Sequence, residues 1–230
     1  MFEQMLGFRR IQRKIEKKLI QLSFIPSKYF ESLYVECGTK ITCHSCDICE
    51  IEEKTVRNEL LKLMKKGKVD TKIELEKFQL FERINTVYVK SSGIRLLMNE
   101  HVENMSKQNY ERLVNILKEC SQAAKLMHYS VKSLYDNYDT ALEKVEELKV
   151  KCNEIIDGLF SFRFCDRDGD GTVDYSFEDP EILIGNSLRS SLQAMINVGD
   201  KIVQIIKTFS YNHHHLKVDK EEEKEEDNEK

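Results

Sequence analysis

Asp166, Asp168 and Asp170 stand at alternate positions of DRDGDGTVD (166–174), with Gly171 directly after them. Alternating carboxylates converge on one hard cation where a glycine lets the backbone turn sharply, which is how a calcium-binding loop opens. The carbonyl of Thr172 and the side chain of Asp174 fall at the next ligand places, with Val173 at the apolar one. The twelfth position holds Phe177, where a bidentate glutamate is expected, so Glu178 or Asp179 would have to substitute in a loop one residue longer. Calcium, held weakly or structurally, is one reading of 166–178; a solvated acidic turn is the other.

Cys37, Cys43, Cys46 and Cys49, with His44 among them, form a second cluster. Thiolates and imidazole at such spacing suit zinc or an iron–sulfur group. The preferred reading is core packing. Free cysteine behaves as a small apolar residue, and gathering four ligands at one point would melt the helix that this stretch otherwise forms.

That stretch, ITCHSCDICEIEEKTVRNELLKLMKKGKV (41–69), is expected to form a short helix capped by Thr42, a break, then a second helix from about Glu52 to Lys66. Val56, Leu60, Leu63 and Met64 make the inner stripe of the second helix, and Gly67 ends it. KVDTKIELEKFQLF and INTVYVK are rich in β-formers and are expected to be two strands joined at Glu82–Arg83. Helix, turn, helix, glycine and β-ribbon resemble a winged helix-turn-helix over residues 25–92. The resemblance implies double-stranded DNA as partner. Lys54, Thr55, Arg57, Asn58 and Lys62 would face the major groove, and Lys72, Lys77 or Arg83 would meet phosphates from the wing.

Beyond Gly93 the apolar spacing is helical, over about 107–137, 139–160 and 180–209, which predicts an antiparallel three-helix bundle. VEELKVKCNEII (145–156) and SLRSSLQAMINVGDKIVQII (187–206) resemble the second and third helices of a PhoU-type repeat, present here once rather than as a tandem pair. The resemblance implies kinship with regulators of phosphate uptake, whose helices bind metal clusters through paired acids. Here those places hold Lys149 with Asn153, and Ile196 with Asp200. Asp200 alone retains a carboxylate, so a multinuclear metal site is not expected.

The composition, 40% hydrophobic and 33% charged, is that of a soluble globular protein. Two prolines and nine glycines favour long helices. Phe2–Leu22 is amphipathic, with Arg9, Arg10, Arg13, Lys14, Lys17 and Lys18 among its apolar positions, which does not suit a signal peptide. No apolar run spans a bilayer, so stable membrane insertion is not expected, and seven cysteines are expected as thiols in the cytoplasm. The net charge of −4 conceals a basic front, up to Lys90, and an acidic remainder. That division favours a polyanion-binding head.

The expected class is therefore mainly α: an N-terminal helix (1–24), a winged helix with a small β-wing (25–92), a PhoU-like bundle (93–212) and a disordered acidic tail (213–230). The expected function is a dimeric DNA-binding transcriptional regulator linked to phosphate uptake. The alternative is an accessory regulator of a phosphate transport system, with transporter components as partners. No nucleophile–base pair, phosphate-cradling glycine loop or paired catalytic carboxylates stands out, so an enzyme is not expected.

Overall fold

The computed structural model describes residues 2–39, 44–66, 72–163 and 179–228, with side chains excepted at 2–6, 8, 72, 73, 104, 163 and 210–228. The described residues form six α-helices: α1 (Phe2–Thr39), α2 (Ser45–Lys66), α3 (Lys72–His101), α4 (Lys107–Ser133), α5 (Tyr138–Arg163) and α6 (Pro180–Asn228). One 3-10 turn, Val102–Asn104, carries α3 into α4. Ser106 caps α4, its hydroxyl accepting from the Asn109 amide at 3.2 Å.

The mainly α class stands, and the winged helix does not. Among the described residues there is no strand. From Lys72 onward, the two segments expected to pair as a wing lie in α3, which passes through Glu82–Arg83 without a turn. The expected break near Glu52 lies inside α2, which is continuous from Ser45. The physical reason is the row Leu80, Ile84, Val87, Ile94 and Met98, all buried at helical spacing. Burying that row outweighs the strand propensity of Val87, Tyr88 and Val89. Ser91 and Ser92 fit within the helix because their hydroxyls donate to the Val87 and Val89 carbonyls at 2.8 and 2.9 Å.

The long helices α1, α3, α4 and α6 form the centre. α1 runs antiparallel to α4, with Ser23 Oγ 3.0 Å from His128 Nδ1 at one level and the Tyr110 hydroxyl donating to the Cys37 carbonyl at another. α3 runs antiparallel to α6: Arg83 donates to the Asn197 carbonyl at 3.4 Å, and Lys90 reaches Ser190 towards the other end. α2 lies along α1, and α5 lies against both α4 and α6. Each half thus repeats one plan, a helix, an antiparallel neighbour and a third helix parallel to the first. The two halves interlock, since the most extensive packing is α1 on α4 and α3 on α6.

A single hydrophobic cluster runs through all six helices, from Ile15, Leu19 and Leu22 to Val198, Ile202 and Ile205. The expected boundary at 92/93 falls inside α3. α6 continues through to Asn228, across the acidic stretch from 213, whose Glu and Lys are good helix formers. Gly199 lets α5 approach α6 closely, because a Cβ there would come within 3.1 Å of Val145 Cγ1.

Candidate functional site

The crossover from α3 through 102–104 into α4 leaves an open cleft of about 790 Å³. Leu33 and Cys37 of α1, Met98 of α3, Val102 and Met105 supply its apolar lining. Glu36, Arg95, Asn99 and Lys107 supply polar groups. Residues of both halves meet here, because Lys107 and Tyr110 belong to α4 and the remainder lie on α1, α3 and the connecting turn.

Arg95 is the centre of the polar side. Its Nη1 donates to Asp47 Oδ1 of α2 at 2.6 Å, and its Nε lies 3.6 Å from Glu36 Oε2 of α1. One guanidinium therefore ties three helices. Burial opposes its charge, but the hydrogen bond to Asp47, with Cys46 and Glu36 nearby, outweighs that and holds its pKa above the ordinary value. In return, hydrogen bonds from Arg95 and His44 lower the pKa of Asp47. The Cys46 thiol points to Glu36 at 3.7 Å, and its pKa rises to about 12, chiefly through burial. Burial, with the hydrogen bond to the Cys37 carbonyl, also raises Tyr110 to about 12.

A second polar assembly lies towards the opposite end of the bundle. Lys77 of α3, nearly buried, donates to Gln12 Oε1 at 2.9 Å and to Glu16 Oε1 at 2.7 Å, both on α1. Gln12 in turn donates to Glu74 at 2.8 Å. Lys201 of α6 is 1% exposed and pairs with Glu76 of α3, while also donating to Gln79 and Gln204. A charge this deep needs such a partner, since burying it alone costs several kcal/mol.

The residues expected to read DNA are divided between α2 and α3. Lys54, Thr55, Asn58 and Lys62 are exposed along α2. Arg57 is engaged by Glu53 at 2.8 Å, and the Thr55 hydroxyl donates to the Ile51 carbonyl at 2.8 Å. Lys77 faces the interior, and Lys72 opens α3. The calcium-type loop, Asp166, Asp168, Asp170, Thr172, Asp174 and Glu178, lies outside the described residues, as does Cys43. Cys37, Cys46 and Cys49 are buried in the hydrophobic cluster. Among the described residues no group of three or more His, Cys, Asp or Glu is placed to hold a metal ion. Asp200, at the acid position that the PhoU resemblance marks, is bound by Lys149 Nζ at 2.8 Å.

Sequence reasoning missed Arg95 and Lys201. Nothing local to Arg95 signals its partners on two other helices. Lys201 did carry a signal: it sits on the inner row of α6 between Val198 and Ile205, where a charge has to be compensated.

Among the described residues, no helix is long and apolar enough to cross a membrane. The all-helical layout is compatible with a PhoU-like bundle. Comparison with protein-family models, with curated proteins and with solved structures finds no match for this chain.

Proposed function

We propose that this chain is a helical accessory regulator of a phosphate transport system, acting through contact with another protein. The observation that carries this is the cleft at the α3–α4 crossover, which draws its lining from both halves of an interlocked bundle. A partner segment or small effector seated there touches α1, α3 and α4 together, and so can bias how the halves pack. Arg95 is suited to transmit such a bias, because its charge is shared between Glu36 on α1 and Asp47 on α2. The link to phosphate transport is supported by the resemblance of 145–156 and 187–206 to PhoU-type helices, with which the helical layout is compatible.

The test is affinity capture of the tagged full chain from its host's membranes after cross-linking, alongside phosphate uptake in a deletion strain. Cross-links between phosphate transporter subunits and α1, α3 or α4, with uptake altered, support the reading. Normal uptake with no transporter cross-link overturns it.

A further inference from the structure

Arg9, Arg10, Arg13, Lys14 and Lys17 occupy two adjoining rows of α1 at four-residue steps, and all five are exposed. Together they line a shallow depression of about 390 Å³. None of them forms an ion pair among the described residues, whereas the neighbouring Glu16 and Lys18 are engaged by Lys77 and Glu59. Ile15, Leu19 and Leu22 bury the face of α1 that packs into the bundle, so the cations lie on the side turned to solvent. Five adjacent like charges without counter-charges repel one another, and an anionic surface relieves that repulsion.

We propose that this face of α1 docks on an anionic lipid surface, so that the protein binds a membrane peripherally without crossing it. One observation favours lipid over nucleic acid. In sequence, Phe2 and Leu6 precede Arg10 and Lys14 at the same four-residue steps, and Met5 and Phe8 stand beside them. Apolar residues that continue a row of cations along one helix can enter a lipid interface while the cations meet its headgroups, and they add nothing to phosphate contacts on a duplex. Lipid docking does not depend on the regulator reading, and its failure leaves that reading standing.

The test is flotation of the full chain with vesicles of phosphatidylcholine alone, or of phosphatidylcholine containing phosphatidylserine. Binding to the anionic vesicles only, weakening as salt is raised, is expected. The double variant R10E/K14E should lose at least about tenfold in apparent affinity, each charge reversal removing one attraction and adding one repulsion. Its circular dichroism should be unchanged, because neither side chain has a partner to lose. Leu6→Ser should weaken binding less and leave the salt dependence intact. Equal binding to both kinds of vesicle, no binding to either, or unchanged binding by R10E/K14E overturns the proposal. So does tighter, R10E/K14E-sensitive binding to duplex DNA at matched ionic strength.

Discussion

Lys149 Nζ lies 2.8 Å from Asp200 Oδ1, so an ammonium on α5 neutralises the carboxylate that α6 presents beside Gly199. The PhoU resemblance puts acids at both of these places, where a bound cation would balance them. Here the positive charge is built into the chain. Both side chains are partly exposed, so the pair itself contributes at most about 1 kcal/mol.

Lys149→Glu should therefore lower stability by about 1 kcal/mol, since it replaces an attraction with a repulsion next to Asp200. Added Mn²⁺ should recover part of that loss in the variant and raise the melting temperature of the wild type less. Thermal melts of both proteins with and without the metal check this, and identical metal responses would count against it.

Lys201 and Glu76 behave differently because they are buried. Lys201→Met alone strands the Glu76 carboxylate in the α3–α6 interface and should cost about 3–5 kcal/mol. Pairing it with Glu76→Leu should restore most of the loss. Urea unfolding of the single and double variants gives the coupling directly; an additive result would show that the two charges do not depend on one another.

His128 gives a pH dependence whose direction is fixed. Burial, with Lys132 nearby, lowers its pKa from the model-peptide value of 6.5, while Ser23 and the Phe24 and Tyr129 rings surround it. The folded state thus binds the proton less readily than the unfolded chain. The stabilising contribution is complete above 6.5 and is lost as pH falls through the lower folded value. His128→Gln should flatten this part of the stability profile. Melting temperatures between about pH 7.5 and pH 5 measure it against the reference histidine range.

The thiols offer a test of packing. Burial raises Cys46 and Cys152 to about 12, and raises the fully buried Cys120 as well. Very little thiolate is present at neutral pH, and thiolate is the reactive form. A disulfide-exchange reagent should modify these three slowly in the native protein and rapidly in denaturant. Fast native labelling of Cys120 or Cys152, mapped by mass spectrometry, would show that α4 and α5 do not pack as described.

Gly199 marks the closest approach of α5 to α6. Gly199→Leu should cost about 1–3 kcal/mol, because the added atoms meet Val145 and Leu148 in a filled space. Gly199→Ala should be far milder, as the better helix propensity of alanine offsets part of the crowding. Equal stabilities for both variants in urea would place the helices further apart.

The rear half was legible because its apolar residues keep one helical row throughout. Leu113, Leu117, Met127, Val131, Val145, Leu148, Leu192 and Met195 recur at helical spacing within the three expected spans and are all buried. The front half was misread where short-range propensity and long-range burial disagree. Val87, Tyr88 and Val89 look like a strand in isolation, yet Ile84, Val87 and Ile94 only form one buried row if the backbone is helical. Cys46 and Cys49 were correctly assigned to packing, but on a continuous helix instead of one side of a turn. The cleft was invisible for a different reason: Glu36, Asp47 and Arg95 acquire their relationship only when three helices assemble.

The interlocking of the halves also constrains how the chain reaches its fold. α1 finds its broadest partner in α4, and α3 finds its own in α6, so each of these faces waits for a segment about a hundred residues further along. During synthesis the first three helices emerge before either partner exists, and their apolar rows stay open to solvent or to a chaperone. Helices α1 to α3 made alone should be aggregation-prone, and the complete chain should unfold as one cooperative unit.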